Sequence, residues 1–420
     1  AMNPLPSTLA APPSSAIRAP EFPAGFDWLN TEKPLTLRGL QGKIVLLDFW
    51  TYGCINCMHI LPDLKKLERQ YENELVIISV HSAKFENEAS TANIRNIVQR
   101  YDIEHPVLVD REMRVWDSYA VRAWPTLVLI DPNGRIVTQL AGEGHYDELN
   151  RAIGALAAKF RQSGQLDETP LKLALEAARA EATPLRYPGK VLADAASQRV
   201  FIADSAHNRI VIADLNGEVR AVAGNGMAGF DDGSFAAATF HNPQGMALRD
   251  GVLYVADTNN HAIRALDLKN KTVRTIAGTG EQAPWRATGG VGTRAPLSSP
   301  WDVQLAGDTL YIAMAGTHQI WALDLKSGRV GPFAGSGREA RGDGARSTAA
   351  FAQSSGLASD GRELFVADSE TSTIRAVELP NTGTQVRTLA GGDLFDFGDE
   401  NGVGNNARLQ HPLGVAYADG

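Results

Sequence analysis

The chain has 420 residues, of which 40 are basic and 48 acidic, for a net charge of −8. That length predicts two or three domains, each with material for its own core, and the acidic balance argues against a nucleic-acid surface as the main business. No apolar run approaches the roughly 18 residues of a membrane span, so the chain reads as soluble, with no membrane segment.

Residues 1–24 are rich in Pro, Ala and Ser and lack a basic start followed by an apolar stretch. They read as a disordered or extended segment, not an intact signal peptide. Ala1-Met2 looks like a tag remnant before a native Met, which favours the cytoplasm. A periplasmic or secreted location would require a removed signal.

From about residue 25 to 163 strands and helices alternate. Ile44–Trp50 predicts a buried strand, Cys57–Tyr71 a helix and Leu75–Val80 a second buried strand. An amphipathic helix over Ala92–Tyr101, a short strand over Pro106–Val109 and a helical turn through Tyr119 follow. Thr126–Ile130, the turn Asp131-Pro132-Asn133-Gly134 and Arg135–Leu140 predict a hairpin, and Tyr146–Phe160 a closing helix. Residues 164–184 read as a polar turn and an alanine-rich linker helix ended by Thr183-Pro184, docked between domains through Leu171, Leu173 and Leu175.

The chemistry concentrates in Asp48-Phe49-Trp50-Thr51-Tyr52-Gly53-Cys54-Ile55-Asn56-Cys57, a strand running into a helix whose first turn carries the chain's only two cysteines. A helix N-terminus bears unpaired N–H groups and about half a positive charge, which stabilises a thiolate there. Cys54 is therefore expected to be the exposed nucleophile and Cys57, one turn on, the buried resolving partner. Asp48 would sit beneath the pair and move a proton to or from Cys57.

This run resembles the active-site segment of thioredoxin-fold proteins, with Asp48, Trp50, Cys54, Cys57 and Pro62 at the family's spacing. Ala123-Trp124-Pro125-Thr126 resembles the family's cis-proline turn. The resemblance implies that Pro125 faces the dithiol and that Trp50, Trp124 and Pro125 bind the partner chain. Ile55-Asn56 stands where Gly-Pro is usual, and that dipeptide tunes the reduction potential. Two other chemistries fit parts of the segment. Thr51-x-x-Cys54 matches a thiol-peroxidase pattern, without its proline, since Leu47 stands there. Zinc needs four ligands, and His59 and His81 are too isolated to complete a set with the cysteines. No metal and no cofactor are expected.

Residues 185–420 repeat themselves. Asp204, Asp257, Met314 and Asp368 are 53, 57 and 54 residues apart, and Ile210, Ile263, Ile320 and Ile374 repeat those spacings. Alternating β-branched strands between Asn/Gly/Asp turns form the pattern of a propeller blade. Pro243-Gln244-Gly245, Pro300-Trp301-Asp302 and Pro412-Leu413-Gly414 open units. These units resemble NHL repeats, and with the first domain the chain resembles NHL-repeat proteins that carry a thioredoxin-like domain. That resemblance implies six blades, of which four and a fraction lie here, so the chain is expected to continue past Gly420. The three repeat aspartates are expected to cap their own turns with backbone N–H groups of the loop that follows. His207, His261 and His318 are given no catalytic role.

The function these features predict is thiol–disulfide exchange on a protein disulfide or dithiol, with a protein partner docked on the propeller. The alternatives are a propeller scaffold with an inactive or redox-sensing dithiol, and a thiol peroxidase.

Overall fold

The computed structural model describes residues 17–420, which divide into two compact units, 17–181 and 182–420. Residues 1–16 of the segment expected to be disordered lie outside the described residues. The rest of that segment is packed: Ala19 and Phe22 are buried, and the Ala19 amide donates to the Gly134 carbonyl at 2.9 Å.

The first unit is built on a six-stranded sheet. Its strands are β1 (Asp27–Leu29), β2 (Ile44–Trp50), β3 (Leu75–His81), β4 (Val107–Val109), β5 (Thr126–Ile130) and β6 (Ile136–Ala141), in the order β1-β4-β3-β2-β5-β6. The central strands β2, β3 and β4 run parallel, and the outer pairings are antiparallel. Both β2 and β3 are buried along their whole length, as continuous apolar runs require when helices cover both faces. Alternation divides their side chains. Leu46, Trp50, Leu75 and Ile77 join one core cluster with Cys57, Leu64 and Leu67, while Leu47, Phe49, Ile78 and Val80 join the other. Asp48 and Ser79 share the parity of the first set, so they lie on the face covered by α1 (Ile55–His59) and α2 (Leu61–Gln70). The single helix expected over Cys57–Tyr71 is broken at Ile60, before Pro62, whose missing N–H suits only a first turn. The fold is completed by α3 (Thr91–Arg100), α4 (Arg114–Ser118) and α5 (Tyr146–Gln162).

The linker helix does not form. Apart from one 3-10 turn at Glu176–Arg179, residues 165–181 hold no helix and run along the first unit as a strap. The Ala174 amide donates to the Asn30 carbonyl at 3.1 Å, the Glu176 amide to Asn30 Oδ1 at 2.8 Å, and Arg95 pairs with Glu176 at 3.0 Å. A short alanine-rich stretch is marginal as a helix, and partners across the strap take the backbone groups instead.

The second unit is a propeller-like array of four blades, each an antiparallel four-strand meander, three of them with a short added strand. The meanders run over 190–223, 243–277, 300–334 and 354–391. The repeat aspartates take no backbone N–H from the turns that follow them, although each bonds to one side chain there: His207, Asn260 and Thr371. Asp204, Asp257 and Asp368 accept backbone N–H bonds from Arg186, His241 and Ala352, in the loops leading into their own blades, at 2.7, 2.9 and 3.0 Å. Each also pairs with an arginine: Arg209, Arg264 and Arg375. Where Met314 replaces aspartate, Trp321 replaces the arginine that blades two and four carry seven residues on, and both are fully buried. The break in the series is thus a paired exchange of an ion pair for apolar packing.

Blades are clasped by left-handed residues. Asn208, His261, His318 and Ser372 all have φ between 50° and 55°, and their side chains accept the amides of Asn242, Ser299, Gln353 and His411. This gives His261 and His318 a structural role. Gly245 is required by close approach: a Cβ there would lie 2.0 Å from Asp302 Oδ1.

Candidate active site at the dithiol

Cys54 is the N-cap of α1, with extended backbone, and its Sγ accepts the Cys57 amide at 3.2 Å. This is the capping bond that serine or aspartate usually makes, here made by sulfur. Both cysteines stand as thiols; Cys54 is half-buried and Cys57 only 1% exposed. Burial pushes the Cys57 thiol well up, and the neighbouring Cys54 sulfur and the Asp48 charge push it further. The two sulfurs are therefore distinguished by access and by environment.

The Trp124–Pro125 peptide is cis, and the Trp124 carbonyl oxygen lies 3.9 Å from Cys54 Sγ. The geometry brings Cys54, Cys57, Trp124 and Pro125 together. Trp124 itself is partly exposed; its indole Nε1 donates to the Ser82 carbonyl at 2.8 Å, and its ring lies 4.5 Å from that of Trp116. Trp50 differs from expectation. It is 1% exposed and sets its ring edge-on to His81, so it has no surface to offer a partner chain.

Asp48 is fully buried, and desolvation raises its carboxyl from the ordinary range to about 7, against the opposing influence of His105 and Ser79. Ser79 Oγ donates to Asp48 Oδ2 at 3.3 Å. Four further residues shape the site: Ser79 and His105 without having been picked out for it, and His81 and Thr51 in roles other than those weighed for them. His81 Nε2 accepts the Tyr52 amide at 3.1 Å, holding the loop before Cys54, and burial pushes the imidazole down to about 3, so it is neutral. Thr51 donates its hydroxyl to the buried Glu88 carboxylate instead of presenting it at Cys54. Ser79 and His105 adjoin Asp48. The parallel register of β2 and β3, which pairs Asp48 with Ser79 and Trp50 with His81, was the signal that could have found two of them. His59 pairs with Glu143. Among the described residues no three His, Cys, Asp or Glu side chains are gathered as a metal site.

Comparison with known proteins agrees with this division. A thioredoxin-like family model matches residues 42–136 and an NHL repeat model matches residues 240–266. NHL repeat-containing protein 2 of Homo sapiens is 44% identical over 433 residues, covering 96% of this chain. The chain thus carries a thioredoxin-like domain together with an NHL repeat. SUPPRESSOR OF QUENCHING 1 of Arabidopsis thaliana, a chloroplastic protein, is 45% identical over 423 residues and again covers 96% of the chain. The chain spans only 59% and 40% of the lengths of these two relatives. Over the first unit, the thiol-disulfide oxidoreductase ResA of Halalkalibacterium halodurans is 34% identical across 125 residues, 29% of this chain and 68% of ResA. No helix among the described residues is long and apolar enough to cross a membrane.

Proposed function

We propose that the first unit exchanges thiols and disulfides with a protein partner, and that the propeller docks that partner. The observation that carries this reading is the asymmetry of the pair. A half-buried Cys54 caps a helix N-terminus beside the Trp124 carbonyl, and a buried Cys57 stands one turn behind it. In the reducing direction the Cys54 thiolate attacks a disulfide sulfur of the partner, forming a mixed disulfide and releasing one partner thiolate. Cys57, once deprotonated, attacks Cys54 Sγ; the mixed disulfide breaks, the second partner thiolate leaves, and two electrons have passed to the partner. Oxidation is the same sequence reversed. Trp124 offers backbone beside the attacking sulfur, where an extended partner segment can pair, while Pro125, buried and with its carbonyl held by the Gly142 amide, sets the turn.

The test is a pair of variants treated with an aromatic disulfide probe. C57S should accumulate a stable mixed disulfide through Cys54, and C54S should not. Equal trapping by both, or by neither, removes the exchange reading. Loss of reaction in both would leave the scaffold reading, in which the propeller alone carries the function.

A further inference from the structure

A row of polar groups crosses the otherwise apolar face beneath α1 and α2. Asp48 on β2, Ser79 on β3 and His105, two residues ahead of β4, lie side by side, and α2 adds Glu68. Ser79 Oγ lies 3.3 Å from Asp48 Oδ2 and 2.6 Å from His105 Nε2, and His105 Nδ1 lies 2.5 Å from Glu68 Oε1. Asp48 is 1% exposed, Ser79 0% and His105 6%, whereas the Glu68 side chain is 24% exposed. Glu68 and His105 both line a cleft of about 490 Å³ that Lys65, Arg69, Pro106 and Leu171 help to form. The hydrogen bonds therefore run from Asp48, whose charge acts on Cys57, to an opening in the first unit's own surface.

Burying three polar side chains in a core is costly unless each satisfies the next. Here each side chain bonds to the next, with one Asp48 oxygen left over, and the Asn30 amide fixes the row further by donating to the His105 carbonyl at 2.9 Å. Ser79 donates to Asp48 Oδ2, and its single hydroxyl proton can serve either Asp48 or His105 Nε2. A proton that enters at Asp48 is therefore passed on by reversing both serine bonds. One oxygen, Asp48 Oδ1, is buried with no hydrogen-bond partner among the described residues.

We infer that Asp48, Ser79, His105 and Glu68 form a proton wire that carries the Cys57 proton out to the cleft beside α2. This rests on the dithiol exchange proposed above and names the path its second step needs. Cys57 is 1% exposed and has no direct route to water through its own surface. Its S–H proton passes to Asp48 as Cys57 Sγ bonds to Cys54 Sγ and the bond from Cys54 to the partner breaks. Asp48 passes the proton through Ser79 to His105 Nε2, and His105 gives its Nδ1 proton to Glu68 and thence to water. The titratable groups acting on Asp48 are His105, from the segment ahead of β4, and Cys57, from α1. Ser79 and His105 are positioning and relay residues, since neither touches the reacting sulfurs.

Two readouts on the full chain test the wire separately from the exchange itself. The first is the Asp48 carboxyl titration in the reduced protein, followed by ¹³C NMR with labelled aspartate. H105Q and S79A should each raise its midpoint, because each removes a group that favours the ionised form, and S79T should restore it. This readout needs no thiol activity, so it stands even if the exchange reading fails. The second is stopped-flow reaction with the aromatic disulfide. S79A and H105Q should slow release of the second thiol at least about tenfold, with the pH dependence of that step altered, and S79T should recover it. The slowing should be confined to release, leaving the first attack at the parental rate. An unchanged Asp48 midpoint in both variants, or release at the parental rate in both, overturns the wire.

Discussion

Replacing Asp48 by asparagine should remove a pH dependence that this one carboxyl imposes on the first unit. Its folded pKa is about 7, whereas an aspartate in an unfolded chain titrates near about 3.9. The folded state therefore binds the proton more tightly. Stability from this group is fully present below about pH 4 and is lost as pH rises through about 7. Within that window the slope is up to ~1.4 kcal/mol per pH unit, and the window is about three pH units wide, so ~4 kcal/mol is lost by pH 8. The assay compares parent and D48N in a C54S background, where Cys57 is the only thiol. Urea titrations at pH 5, 6, 7 and 8 are read by rapid labelling of Cys57 with a dithiodipyridine, because Cys57 is accessible only when the unit opens. The stability difference should move in favour of D48N as pH rises, and most of the change should fall between pH 5 and 8. A difference that stays flat across that range would refute a buried, proton-holding Asp48.

Two further outcomes follow from the contacts. D257M should leave the fully buried Arg264 without its buried carboxylate and destabilise blade two by about 3 kcal/mol, read as faster hydrogen exchange over 262–267. D257M with R264W copies the Met314 and Trp321 pair of blade three and should recover much of the loss, whereas simple additivity would show that the two positions are not coupled. T51V should react with hydrogen peroxide at the parental Cys54 rate, because the Thr51 hydroxyl is committed to Glu88, while costing about 1–3 kcal/mol for the carboxylate left short of a donor. A fall in peroxide rate of a hundredfold would restore the peroxidase reading.

What could be read from the sequence was local. β2, the Cys54–Cys57 turn and the repeat spacing each declare themselves within a dozen residues or by recurrence, because a buried parallel strand is a continuous apolar run and a blade repeats its turns. The Ser79, His105 and Glu68 row was not legible, since it is assembled by strand register and by a helix crossing the sheet. Its members lie 26 and 37 residues apart, and each alone is an ordinary polar residue. Trp50 misled because a large aromatic beside an active cysteine suits a surface as well as a core. The strap over 165–181 misled for a related reason: alanine content favours a helix only weakly, and the hydrogen-bonding groups of Asn30 decide otherwise. The repeat aspartates looked like turn caps because Asn-rich loops follow them. Their backbone partners, the amides of Arg186, His241 and Ala352, lie 16 to 18 residues upstream.

The central claim is that Cys54 is an accessible, thiolate-forming sulfur and Cys57 its sequestered partner. Differential alkylation of the reduced full chain across pH, resolved by mass spectrometry, tests it directly. Cys54 should label with a midpoint below the free-thiol value of about 8.5, while Cys57 stays unlabelled until the protein is denatured. Equal labelling of the two cysteines, or faster labelling of Cys57, would contradict it.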